Sequence, residues 1–114
     1  MLPIKNRVKK EFFAEIMKNG QFFHGENLYL RLLIKKEQKI PTFSFIIPNK
    51  VKKTSVGRHW IKRRISSVVE KELLNIKTDS SGLVFVKKDI SQLPYSEIAK
   101  EVVVLLKKAK ILKE

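Results

Sequence analysis

Apolar residues recur at spacings of three to five over 7–19, where Val8, Phe12, Phe13, Ile16 and Met17 alternate with charged positions. That pattern predicts an amphipathic helix closed by Asn19-Gly20. The period then changes. Segment 22–34 is aromatic and aliphatic, with His24-Gly25-Glu26-Asn27 read as a bulge or turn before a strand over 28–34. Thr42-Phe43-Ser44-Phe45-Ile46-Ile47 alternates and then becomes wholly apolar, as a strand with one covered face does, and Pro48 stops it because proline donates nothing to a sheet ladder. Segment 35–41 reads as the polar hairpin connection between these two strands.

Over 56–76, Ile61, Ile65, Val68, Val69, Leu73 and Ile76 form one stripe at about 100° per residue, which predicts the longest helix and the main cover of the sheet. Thr78-Asp79-Ser80-Ser81-Gly82 carries turn chemistry, and Leu83-Val84-Phe85-Val86 reads as a short buried strand. A last helix is predicted over 95–110, with Pro94 as its boundary, Ser96 as a cap and Ile98, Val102, Leu105 and Leu106 as its stripe. The order α-β-β-β-α-β-α, an antiparallel meander followed by a β-α-β crossover, predicts a single α+β sandwich over residues 1–114 with a mixed sheet. Helices should cover mainly one face, leaving the other face, or a cleft beside the first helix, for a ligand. Two adjacent phenylalanines are not expected to face inward together from one helix, so one of Phe12 and Phe13 should line a cleft or the surface.

Composition narrows the function. Hydrophobic residues make up 43% of 114, enough for one core and too few for two, so the 32% charged content does not signal disorder. Lys and Arg number 25 against 11 for Asp and Glu, a formal net charge of +14. An excess of that size on so small a surface calls for a polyanionic partner, most commonly nucleic acid. The absence of cysteine excludes disulfides, thiol nucleophiles and cysteine-based metal sites. The longest apolar run, Val102-Val103-Val104-Leu105-Leu106, falls far short of the ~20 residues of a membrane span. The N-terminal residues lack the apolar stretch of a signal peptide, so a cytoplasmic protein with no membrane partner is expected.

The charge is not evenly spread. Lys50, Lys52, Lys53, Arg58, Lys62, Arg63 and Arg64 fall within 50–64 with no acid among them. They sit at a strand-to-helix connection, where unpaired helix N–H groups also face phosphate oxygens, and they point in several directions, as suits a folded RNA surface. Arg58 and Lys62 lie near the apolar stripe, so the first turn of that helix should project past the sheet edge. Trp60, the only tryptophan, lies off the stripe and either caps the core or stacks on a base. Two further basic groups stand at the ends: Lys5, Arg7, Lys9 and Lys10, then Lys107, Lys108, Lys110 and Lys113. The two histidines have no ligand spacing, the carboxylates are scattered singly, and no glycine-rich phosphate loop is present, so no catalytic apparatus or metal site is visible in the chain itself.

The stretch Asn49-Lys50-Val51-Lys52-Lys53-Thr54-Ser55-Val56-Gly57-Arg58-His59-Trp60-Ile61-Lys62-Arg63-Arg64 resembles the bacterial ribonuclease P protein component, with its lysine-rich strand end, Arg-Asn-Arg helix motif and following Lys-Arg-Arg. Leu2-Pro3-Ile4-Lys5-Asn6-Arg7-Val8-Lys9-Lys10 is similar to that family's opening. The run 13–20, Thr42-Phe43-Ser44-Phe45, Leu83-Val84-Phe85-Val86, Leu93 and Tyr95 extend the likeness over nearly the whole chain. The resemblance implies a ribosomal protein S5 domain 2-like fold with a left-handed βαβ crossover. It also implies the role of non-catalytic protein subunit in the ribonucleoprotein endonuclease that removes the 5′ leader of precursor tRNA, where the RNA subunit with Mg²⁺ does the chemistry. By position, Lys50, Lys52, Lys53, Arg58, His59, Trp60, Lys62, Arg63 and Arg64 would contact the ribonuclease P RNA. Phe13, Met17, Arg31 and Phe45 would line the cleft for the precursor-tRNA leader, and no obligate protein partner is implied. Arg-Asn-Arg has become Arg58-His59-Trp60, so a stacking contact stands where the family has a guanidinium fork. The alternatives are a ribosomal or other structural RNA-binding protein and, without visible apparatus, a protein-only nuclease.

Overall fold

The structure is a computed structural model that describes residues 2–113. Helix α1 (Lys10–Asn19) is followed by strands β1 (Gln21–His24), β2 (Leu28–Ile34) and β3 (Thr42–Ile46). Helix α2 (Ser55–Glu72), strand β4 (Ser80–Val86) and helix α3 (Tyr95–Lys108) complete the chain, so the order of elements is the one the periodicity predicts. The sheet runs β1-β2-β4-β3, with β1/β2 and β2/β4 antiparallel and β3/β4 parallel.

The meander is where the prediction fails. Segment 35–41 does not close a hairpin, because β4 inserts between β2 and β3. Its polar residues bond to the approach to β4 instead: Lys35 N–H donates to the Asp79 carbonyl at 2.8 Å and the Gln38 amide to the Ser80 carbonyl at 2.8 Å. Apolar on both faces, β4 takes the central position, where a strand is covered from both sides. Ser80-Ser81-Gly82, read as part of a turn, belongs to β4 and is buried. The Ser81 hydroxyl is paired with that of Thr42 at 2.7 Å. Gly82 faces the Phe43 ring so closely that a Cβ there would stand 2.7 Å from Phe43 Cε1.

Side chains alternate between two layers. Leu28, Leu30, Leu32, Phe43, Phe45, Val84 and Val86 face the main core, which Ile61, Ile65, Val68 and Val69 of α2 and Ile98, Val102, Leu105 and Leu106 of α3 complete. On the other face α1 lays Ile16 on Leu83, joined by Val8 and flanked by Phe12, Phe13, Leu33, Ile46 and Phe85. Phe12 and Phe13 are therefore both half-buried against the sheet, rather than one in and one out. Helix α1 begins at Lys10, not 7. Ile4–Asn6 forms a 3₁₀ turn and Arg7 bridges to Phe43 in parallel along the β3 edge, with the Asn6 amide on the Pro41 carbonyl at 2.9 Å. Ser96 does not cap α3, whose first turn instead follows the extended Pro94 with no side-chain cap.

Candidate nucleic-acid interface

The basic segment leaves β3 through a turn in which Val51 and Lys52 N–H return to the Pro48 carbonyl. Thr54 then caps α2, its hydroxyl oxygen accepting from Gly57 N–H at 3.0 Å. The Arg58 guanidinium folds back onto the same loop and donates to the carbonyls of Lys52 and Lys53 at 3.0 and 2.8 Å. Arg58 thus spends donors on positioning the lysines beside it. The segment also acquires an acid that the sequence around it lacks: Lys52 Nζ lies 3.1 Å from Asp89, in the β4–α3 connection. The Ser91 hydroxyl and backbone N–H hold the Asp89 carboxyl down to about 2, with Lys52 adding to the effect against a small opposing effect of burial.

Lys50, Lys53, His59 and Arg63 remain exposed around this start of α2. Lys62 is half-buried and lines a cavity of 60 Å³ with Arg7, Phe43, Phe45 and Ser66. Trp60 is 37% exposed and outside the core, and Arg64 stacks its guanidinium 4.3 Å from the indole. Trp60, Arg63, Arg64, Ser67 and Tyr95 line an open concavity of 380 Å³. Tyr95 donates to or accepts from Ser67 at 3.1 Å, a bond that is the main cause of its lowered phenol pKa, and Lys71 Nζ sits 5.0 Å from its ring. Ser67, Lys71 and Tyr95 are not among the site residues that the sequence predicts. The spacing of 60, 64, 67 and 71 along one helix face is the signal that would have found the first two.

A second, chemically different surface lies on the α1 side of the sheet. Tyr29 stacks on Phe85 with centroids 4.6 Å apart and planes at 10°, and Phe22 stacks on Tyr29 at 4.7 Å. His24 tilts against Phe22 at 4.2 Å, while Arg31 sits 4.8 Å above Phe22 and donates to the Met17 carbonyl at 2.7 Å. That bond ties the C-terminal turn of α1 to the sheet and satisfies a free helix carbonyl. Phe13, Met17 and Arg31 therefore share this side. Phe45 does not join them: it has the parity of Phe43, is 7% exposed and packs under α2. Phe22, Tyr29 and Phe85 were not singled out by the sequence. Cross-strand register brings them together, pairing Tyr29 with Phe85 and Phe22 with Arg31.

Among the described residues no group of three or more His, Asp and Glu converges tightly enough to hold a metal ion, and no helix is long and apolar enough to cross a membrane.

Residues 2–110 match the family model described as Ribonuclease P. The ribonuclease P protein component of Rippkaea orientalis is 33% identical, with 97% of this chain and 91% of the relative covered, and that of Pseudanabaena sp. is 28% identical over 98% and 97%. Solved structures of the RNase P proteins of Staphylococcus aureus (TM-score 0.84, 20% identity, 95% and 98% covered) and Thermotoga maritima (TM-score 0.80, 16% identity, 90% and 96% covered) share the fold. The match spans the fold, both surfaces and the basic helix start, and this chain belongs to the ribonuclease P protein family, the protein subunits of the ribonucleoprotein enzyme that processes the 5′ ends of tRNA.

Proposed function

We propose that the protein divides its work between two faces of the sheet. On the α2 side, Lys50, Lys53, His59 and Arg63 contact phosphates of the ribonuclease P RNA, Trp60 with Arg64 stacks on an unpaired base, and Arg58 and Lys52 shape the loop they sit on. Lys62 lies closer to the core and reaches backbone only from the rim of its cavity. On the α1 side, the single-stranded leader of precursor tRNA lies along Phe22, Tyr29 and Phe85 with Phe13, Met17 and Arg31 at its border. Stacking on aromatic rings tolerates any sequence, because every base has a π-face, and contributes about 1–3 kcal/mol per base. A leader whose sequence differs from one tRNA to the next needs that kind of recognition.

The observation that carries this reading is the half-exposed ladder Phe22–Tyr29–Phe85 on the face opposite the basic start of α2. Mg²⁺ bound by the RNA partner would activate water and stabilise the leaving oxygen, while the protein's own residues bind and orient the two RNAs. In a reconstituted assay the protein alone leaves precursor tRNA uncut, and with its cognate RNA subunit it raises cleavage at low Mg²⁺. Failure to stimulate that RNA overturns the proposal.

A further inference from the structure

The fold brings Lys5, from the N-terminal basic group, to the same pole as Lys107, Lys110 and Lys113 of the C-terminal one. The backbone of the C-terminal segment is pinned beside the start of β4: Ile76 bridges Leu112, Lys77 N–H donates to the Ile111 carbonyl at 2.7 Å, and Lys113 N–H to the Asn75 carbonyl at 2.6 Å. Lys77, Lys107, Lys110 and Lys113 then surround a concavity of 710 Å³, with Leu112 the only other lining residue among those described. Lys113 also lines an adjoining groove of 400 Å³ that contains Lys5 from the N-terminal group and Lys39 from the β2–β3 connection. Six exposed lysines from five parts of the chain therefore share one pole. None has an ion pair among the described residues, and the excess persists even with Glu70 of the groove and Glu114, which follows Lys113 in the sequence, counted against them.

Two physical facts argue that this is more than a solvated surface. Uncompensated ammonium groups around a concavity repel one another, and an anion held among them relieves that repulsion. Lys110, moreover, occupies the left-handed region at φ 59°, where glycine or asparagine is favoured and other residues are strained. The chain turns there at a cost, and the turn is what swings Lys113 back toward Lys77.

We infer that this pole binds the phosphodiester backbone of a second RNA segment. It lies at the C-terminal end of α2, whose 18 residues separate it by about 27 Å from the basic start of the helix. Six mobile point charges without aromatic neighbours suit backbone rather than base recognition. The inference rests on the reading that the start of α2 holds the ribonuclease P RNA, and it makes the protein a bridge between two RNA segments. The phosphates at the pole belong either to a distant part of that RNA or to the bound precursor tRNA.

The test replaces Lys77→Gln, Lys107→Gln, Lys110→Asn and Lys113→Gln together, asparagine being suited to the left-handed position. A control of equal charge change carries Lys18→Gln, Lys36→Gln, Lys88→Gln and Lys100→Gln. Binding is measured against salt for ribonuclease P RNA alone and for precursor tRNA on the assembled holoenzyme. The pole variant should flatten the log–log salt slope by about two units in one of the two arms, with about tenfold weaker binding at 0.1 M salt, and the control by less than one. Flattening in the first arm assigns the phosphates to the catalytic RNA, and in the second to the precursor. Equal slopes for pole variant and control in both arms overturn the inference, as does a change confined to self-association in sedimentation. Should the quadruple variant melt early, the pair Lys77→Gln and Lys107→Gln is read in its place, with half the effect. Arg63→Ala is run alongside: if it leaves binding of the ribonuclease P RNA intact while the pole variant does not, the reading of the helix start fails and the pole stands.

Discussion

The Arg58 guanidinium lies folded back on Lys53, with Nη1 2.8 Å from the Lys53 carbonyl oxygen and 3.0 Å from that of Lys52. A charged donor shared between two carbonyls holds the loop before α2 in place, and such bonds contribute about 1.5–3 kcal/mol. In the function proposed above, Arg58 acts on RNA through the lysines it positions. Arg58→Lys keeps the charge and loses the planar fork, so it should weaken RNA binding about tenfold, as Arg58→Ala does. Neither variant should change the salt slope by as much as one unit. A full-unit flattening in Arg58→Ala that Arg58→Lys restores would show the guanidinium on a phosphate instead.

Trp60 is the only tryptophan, and its ring is covered on one side by Arg64 and open on the other. RNA binding should therefore quench the intrinsic fluorescence of the protein directly. Trp60→Ala should reduce RNA affinity by about tenfold, the worth of one stacked base, while lowering the melting temperature by only a few degrees. A large fall in melting temperature with unchanged affinity would assign the indole to the core.

Lys52 and Asp89 form an exposed pair, the carboxylate side chain being 39% accessible, so it stabilises the fold by only about 0.5 kcal/mol. The folded carboxyl, held at about 2, lies below the ordinary aspartate value of 3.8. Its contribution is thus fully present above about pH 4 and disappears as pH falls toward 2. Asp89→Asn should remove that acid-side dependence from urea melts. The same change releases Lys52, so RNA affinity at low salt should rise by about two- to threefold and the salt slope steepen by up to one unit. Weaker binding would mean that Asp89 is needed to aim Lys52.

Periodicity made the helices and all four strands legible, β4 only from Leu83 onward, because apolar spacing reports which side of an element is covered. It does not report which strand lies next to which. Hence 35–41 passed for a hairpin while β4 took the place between β2 and β3. Ser80-Ser81-Gly82 looked like a turn because small polar residues usually are, yet a hydroxyl pair with Thr42 and the space claimed by Phe43 put them in the core. The interface divides the same way. The basic run is contiguous in sequence and was visible in it, whereas Asp89 reaches Lys52 across 37 positions and the aromatic ladder exists only through register. Phe45 was placed in the wrong layer although its parity with Phe43 was already on view.

Gly82 should accept no larger side chain. With Phe43 Cε1 at 2.7 Å and Leu30 Cδ1 at 3.1 Å from an added Cβ, the ring must move within a fully buried environment. Overpacking of this kind costs about 1–3 kcal/mol, so Gly82→Ala should shift the urea midpoint downward without changing the slope of unfolding. Adding Phe43→Leu should cost less in the Gly82→Ala background than in the wild type, a coupling of at least about 0.5 kcal/mol. Strict additivity would mean that the two positions do not compete for the same space.

Tyr29 is the central ring of the ladder, in contact with Phe22 on one side and Phe85 on the other, and its removal breaks the surface in two while leaving Arg31 and α1 in place. Because the ring stands on the half-exposed face, Tyr29→Ala should cost the fold less than it costs the ligand. In the assembled holoenzyme it should weaken precursor tRNA carrying a single-stranded leader by at least about fivefold, the lower end of one stacking contact. Mature tRNA, which has no leader, should bind as before, and Tyr29→Phe should behave as the wild type because a phenyl ring presents the same π-face. An equal loss for leader-bearing and leaderless tRNA would place the leader elsewhere and leave the ladder as packing alone.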